Sequence, residues 1–232
     1  MQKNMKKVIT LLLLIACCSV AQAQNPVGRF TVYPKLGLNL SQMSDDGIFL
    51  GGTDYIATTQ MKQGFTGGAE IAYQFMRPLS VSVGAMFSNQ GTKFHDFSIT
   101  ADDSYERWSD MKYTMNFLNI PIMANLYVAK GLALRVGVQV GFLLQSQFSS
   151  RVETGQKVQE QWQTEVVTTK TDMNNILNTV NFSLPIGISY EYKNIMLEAR
   201  YTFGLTNPFK AESGLNSKHQ VITFTVGYGI DL

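Results

Sequence analysis

Between Leu132 and Gln145 the chain reads LALRVGVQVGFLLQ. Leu132, Leu134, Val136, Val138, Val140, Phe142 and Leu144 take every second place, and Ala133, Arg135, Gly137, Gln139, Gly141, Leu143 and Gln145 lie between them. A period of two sends successive side chains to opposite faces, so the stretch is a strand. Soluble strands usually run about 5–6 residues. At ~3.3 Å per residue this one extends about 43 Å. Tilted by about 45° it rises about 30 Å, the depth of a bilayer's hydrocarbon core. One face suits lipid and the other a crowded, partly polar interior.

The same alternation recurs along the chain. Strands are expected at Thr31–Ser41, Gly64–Phe75, Leu79–Gln90, Tyr113–Tyr127, Leu132–Gln145, Val180–Tyr192, Ile195–Thr206 and His219–Leu232. Their outward faces carry residues such as Leu36, Leu38, Phe65, Ile71, Val81, Val83, Ile122, Ile188, Leu197, Phe224 and Val226. Short turns fall at Met76-Arg77-Pro78, Ala129-Lys130-Gly131 and Lys193-Asn194. Long polar loops fall at Gln42–Met61, Gly91–Lys112 and Ser146–Thr179, with a fourth of about a dozen residues after Thr206. The threonines, valines and Trp162 of the third loop extend its hairpin beyond the membrane, and Asp172 caps a short helical turn through Leu177. Pro121 and Pro185 sit inside strands, where each demands a bulge or a lost ladder bond.

Short turns alternating with long loops around an even number of strands mark an up-and-down transmembrane barrel. Closure pairs every backbone polar group, which lipid requires. The predicted fold is therefore an all-β, eight-stranded antiparallel up-and-down transmembrane β-barrel. Aromatic residues fall where girdles belong. Tyr73, Phe75, Tyr190, Tyr192 and Tyr228 lie at the turn end, and Phe65, Phe87, Phe142 and Phe203 toward the loop end.

The N-terminus adds a route to the membrane. Lys3, Lys6 and Lys7 precede an apolar run from Val8 to Cys18, and Ala21-Gln22-Ala23 has the A-x-A form of a cleavage site. Residues 1–23 read as a cleaved signal, because the run is shorter than the ~20 residues of a membrane helix. The other reading is a lipoprotein signal, with Leu14-Ile15-Ala16-Cys17 as its lipobox. Under cleavage after Ala23 the domain is 24–232 and holds no cysteine, which removes disulfides, thiolate metal sites and a cysteine nucleophile. Loss of three lysines takes 19 basic residues to 16 against 17 acidic, a formal charge of −1. That balance gives no footprint for nucleic acid. Charged residues make up 16%, low for a soluble domain, which carries about 25%.

Six charged residues have inward parity: Lys35, Glu70, Arg135, Glu191, Glu198 and Arg200. A buried charge needs a partner. Three basic and three acidic groups suggest an ion-pair network filling the lumen, since eight strands enclose only enough room for side chains. A selectivity filter is the functional alternative. In the loops, His95 adjoins Asp96, and His219 lies near Ser217. Either pairing suits a hydrolase at the membrane surface, but neither has a third member in view. Asp45-Asp46 and Asp102-Asp103 lack the spacing of a calcium loop. No phosphate, dinucleotide or zinc motif is present, so no cofactor is implied.

Several segments together carry a resemblance: PKLGLNLS at Pro34–Ser41, SVGAMFSNQG at Ser82–Gly91, NFLNIPIMANL at Asn116–Leu126, LRVGVQVGFLL at Leu134–Leu144, LPIGISYEY at Leu184–Tyr192 and LEARYTFGLTN at Leu197–Asn207. The chain resembles the PorT-like outer-membrane β-barrel family over essentially all of residues 24–232. The resemblance implies a barrel in the Gram-negative outer membrane, with no enzyme activity and no cofactor. The family's name-giving member is linked to protein secretion and gingipain maturation. No residue motif carries that role onto this chain. The expectation is a non-enzymatic, monomeric barrel in outer-membrane lipid, meeting a protein partner through its four outer loops. The alternatives are a small-solute channel, an outer-membrane hydrolase using His95 or His219, and a soluble lipocalin-like barrel, which would turn the apolar face inward.

Overall fold

The computed structural model describes residues 26–43, 48–49, 56–158, 161–210 and 217–232. The proposed signal, Cys17 and Asp45-Asp46 lie outside the described residues. Eight long strands form the wall: β1 Phe30–Met43, β2 Thr59–Met76, β3 Leu79–Phe94, β4 Ser104–Ala129, β5 Leu132–Val158, β6 Val180–Tyr192, β7 Ile195–Gly204 and β8 His219–Tyr228. Each pairs antiparallel with its sequence neighbours, and β8 pairs with β1, so the ring closes. Ile230–Asp231 continues the last strand along β1. The fold is the eight-stranded up-and-down barrel expected from the alternation.

Period-two patterning sets the two faces. Leu36, Leu38, Val83, Val136, Val138, Phe224 and Val226 are exposed on the outer wall, whereas Lys35, Asn39, Ser82, Arg135 and Thr225 are buried inside. An exposed apolar belt is the solvent-matching face of a barrel in lipid. The turn-end hairpins are tight. Lys193 and Asn194 both have positive φ, 47° and 68°. That is the type I′ geometry, whose twist matches the flanking strands.

Both inward prolines are fully buried. Neither causes a bulge. Val83 faces Ile122 and Met86 faces Asn119 in unchanged register, with the ladder interrupted around Pro121. Likewise Ser183 faces Gln139 and Ile186 faces Val136, with the interruption at Leu184 and Pro185. Each proline costs a ladder bond and leaves the register intact, because it lacks only the N–H.

Two expectations need correction. The alternation from Leu132 does not continue to Gln145. Asn116 faces Gln145, yet Phe117 faces Leu143, so β5 carries one extra residue at Leu144. This β-bulge reverses the parity above it. Gln145 turns outward, while Ser146 and Ser150 are buried. The second loop is also mostly strand. β3 runs on to Phe94, Phe97–Ala101 pairs with the start of β4, and β4 and β5 reach 26 and 27 residues. The third loop does extend its hairpin, since Gln161–Asp172 pairs with Gln147–Val158. Together these segments form a four-stranded sheet that leaves the barrel at its loop end. Asn174–Ile176 is a short 3₁₀ turn, and the Asn174 N–H donates to Asp172 Oδ1 at 2.8 Å.

Candidate functional site

Five of the six inward charges meet in the lumen. Lys35 comes from β1, Glu70 from β2, Arg135 from β5, and Glu198 and Arg200 from β7. β1 and β5 stand opposite each other in the ring, so the group crosses the lumen. Each carboxylate contacts all three cations. Glu70 lies 2.6 Å from Lys35 Nζ, 2.5 Å from Arg135 Nη2 and 2.7 Å from Arg200 Nη2. Glu198 lies 2.9 Å from Lys35 Nζ, 2.7 Å from Arg135 Nη1 and 2.7 Å from Arg200 Nη2. All five residues are at most 8% exposed.

The wall makes space for this knot. Lys35 is flanked across the strands by Gly68 and Gly227, and Glu70 faces Gly84. A Cβ on Gly84 would come within 2.5 Å of Glu70 Cγ. Neutral groups take the remaining donors. Arg135 Nε donates to Asn125 Oδ1 at 2.7 Å and Nη2 to Ser82 Oγ at 3.1 Å, while Asn125 Nδ2 donates to Ser80 Oγ at 3.0 Å. Every charged group of the knot thus has an oppositely charged partner as well as neutral hydrogen-bond partners around Arg135, the arrangement that burying ions in a low-dielectric interior requires.

Glu191 stands apart. It accepts a hydrogen bond from the Tyr33 hydroxyl at 2.9 Å, nearer the turn end. The knot therefore holds three cations and two carboxylates, a net charge of +1, in place of the expected balance. On the loop side of the knot lie two cavities of about 30 Å³ each. Each has room for about one water. Above them lies an apolar cap that the alternation did not reveal: Met43, Phe94, Met111, Tyr113, Met115 and Phe117 from the strands, with Leu177 and Phe209 from the loops. Tyr113 is its hub, 5.7 Å from Phe94, 4.9 Å from Phe148 and 6.2 Å from Phe209 between ring centroids. Asn178 Nδ2 ties the two loops by donating to the carbonyls of Asn207 and Phe209, both at 3.0 Å. The inward Met, Tyr and Phe positions above Asn116 were the available signal, but only the longer strands turn them into one layer.

The histidines are separate from each other and from the knot. His95 is exposed, with Gln60 Nε2 2.8 Å from its Nδ1. His219 lines the upper small cavity and packs edge-on against Phe117 at 5.8 Å. Its Nε2 and the Ser217 hydroxyl are buried and do not bond to each other. Asp102 and Asp103 are exposed in a tight turn, and no cluster of three metal-ligating side chains occurs among the described residues.

Residues 20–210 match the family model described as outer membrane protein beta-barrel domain. The chain belongs to this family. Similar solved structures are outer-membrane barrels. Ail, the attachment invasion locus protein of Yersinia pestis, is 13% identical, with 88% of this chain and 100% of that one covered and a TM-score of 0.43. Neisserial surface protein A is 11% identical, covering 85% and 96%, with a TM-score of 0.43. OprG from Pseudomonas aeruginosa is 10% identical, covering 92% and 98%, with a TM-score of 0.35. A search among curated proteins found no match.

Proposed function

We propose that this outer-membrane barrel is non-enzymatic and plugged, and that it acts through its extracellular loops. The lumen carries the reading. A five-residue charged knot crosses it, and an apolar cap lies at its loop end, which leaves cavities of about 30 Å³ where a solute channel needs a continuous path. That His219 Nε2 and the Ser217 hydroxyl do not bond to each other supports a role without catalysis.

The sheet above the membrane is the contact surface. Ile99, Val158, Trp162, Val166 and Val167 are exposed on it. Gln161–Asp172 is its edge strand and, among the described residues, pairs on one side only, with β5. A free edge with exposed apolar side chains suits a protein partner that adds a strand. The barrel is a monomer in outer-membrane lipid, exported by a signal spanning residues 1–23 and akin to the PorT-like barrels. It uses no cofactor and binds no nucleic acid.

Planar-bilayer conductance of the refolded protein tests the plug, with heat-modifiable gel mobility verifying folding. The expected result is silence from folded barrels. Steady unit conductance would overturn the plugged reading in favour of a small-solute channel and make the knot its filter.

A further inference from the structure

Cross-strand register produces a feature on the outer wall that no single strand shows. Lys93 on β3 faces Lys112 on β4, Lys112 faces Ser149 on β5, and Ser149 faces Lys170 on the extension strand. Three lysines thus lie in one row across four adjacent strands, spaced by ~4.8 Å per strand. Like charges directly opposite repel. Arg151 shares a surface hollow with Lys112, Lys170 and a single acid, Asp110. Lys62, buried beside the row and held by Asn89 Oδ1 at 2.7 Å, is itself repelled by Lys112 and Lys93. None of these five cations has a carboxylate within ion-pair distance among the described residues.

The chemistry below the row is layered. The apolar wall ends at Phe87 and Leu118, which face each other. Next comes a row of amides, Asn89 facing Asn116 and Asn116 facing Gln145, with Asn89 Nδ2 donating to Asn116 Oδ1 at 2.6 Å. Thr114 facing Gln147 forms the following polar row, and the lysines lie above it. Lys93 is six residues beyond Phe87, about 14 Å higher for a strand tilted by about 45°. Lysine stems reach back toward the membrane, which brings the ammonium groups closer to the headgroups. A phospholipid places its phosphate directly at the hydrocarbon edge. This wall instead offers acyl-chain contacts, then amides suited to hydroxyls, then cations.

We propose that the face formed by β3, β4 and β5 binds a phosphorylated glycolipid of the outer leaflet. The wall below Phe87 packs its acyl chains, the amide rows bond its sugar hydroxyls, and Lys93, Lys112 and Lys170 bind its phosphates.

The test uses refolded full-length barrel in detergent, titrated by native mass spectrometry with an acylated diglucosamine bisphosphate and with its dephosphorylated form. Wild type is expected to prefer the bisphosphate by about 100-fold, from about fivefold per lysine. The triple variant K93Q/K112Q/K170Q, verified as folded by gel mobility, loses that preference. Should the triple variant not fold, K112Q alone is expected to weaken bisphosphate binding about fivefold. Equal affinity of wild type for the two glycolipids overturns the proposal, as does an unchanged preference in K112Q or the triple variant. Displacement of the lipid by inorganic polyphosphate at the same phosphate concentration also overturns it, since the row then serves a soluble polyanion.

Discussion

Glu70→Gln is the most discriminating perturbation of the knot, because Glu70 touches Lys35, Arg135 and Arg200 at 2.5–2.7 Å. At an effective dielectric of about 20, and with charge centres about 4 Å apart, each contact represents about 4 kcal/mol of gross attraction, or about 12 kcal/mol for three. Neutralising the side chain loses this attraction and relieves a desolvation cost of several kcal/mol for the carboxylate. It also leaves three cations facing Glu198 alone, raising the net charge of the knot from +1 to +2. The expected net destabilisation is about 3–5 kcal/mol, the usual cost of breaking a buried ion network. Arg135→Met removes as many ionic contacts as either neighbouring cation supplies, yet leaves two cations with two carboxylates, each carboxylate still contacting Lys35 and Arg200. Its expected cost is smaller, about 1–3 kcal/mol, from the orphaned partners Asn125 and Ser82. The double variant E70Q/R135M restores the net charge of +1 and should cost less than the sum of the singles. The assay is the folded fraction by gel mobility across a urea series in short-chain lipid bilayers. The reasoning is refuted if E70Q lies within about 0.5 kcal/mol of wild type, or if R135M is the costlier change.

Other regions give independent tests by the same urea titration. Val138→Arg places a charge mid-strand on the lipid-facing wall, where Val138 is 54% exposed, and should destabilise by about 2–4 kcal/mol; unchanged folding in liposomes would invert the face assignment. Gly84→Ala drives a methyl against Glu70 and should cost about 1–3 kcal/mol, whereas wild-type stability would mean that the knot has slack. Asn194→Val forces a β-branched residue to a φ of 68° in the tight turn and should cost about 1–3 kcal/mol, with Asn194→Gly close to neutral as the control. Replacing residues 152–167 with a short Gly-Ser link should leave a heat-modifiable barrel and remove partner binding; loss of the barrel would show that the extension is part of the folding unit.

The strands and their faces were legible because burial on one side and lipid on the other impose a period of two. Val138 and Arg135 announce opposite faces three residues apart. The inward charges were legible for the same reason. Their partnering was not: Glu191 has the same parity as Glu198, yet it bonds Tyr33 one layer away, because height in the barrel depends on strand stagger. The bulge at Leu144 was hidden, since Leu143-Leu144-Gln145 fits an unbroken alternation equally well. The cap was hidden because Phe94 and Met111 sit in a stretch polar enough to read as loop, and they join Tyr113 as core only when β3 and β4 rise above the membrane together.

The sequence by itself determined the strand count, the two faces, the alternation of short turns with long loops, and thereby a closed barrel in lipid. These are one-dimensional consequences of side-chain alternation and of the need to pair every backbone group in hydrocarbon. The tertiary structure alone decided which residues meet. Lys35 and Arg135 are a hundred positions apart on opposite walls, and their contact with Glu70 and Glu198 depends on the shear that sets each strand's height. Lys93, Lys112 and Lys170 become one row through three successive registers. Periodicity gives the direction of a side chain from its wall, while register and closure give what it faces there.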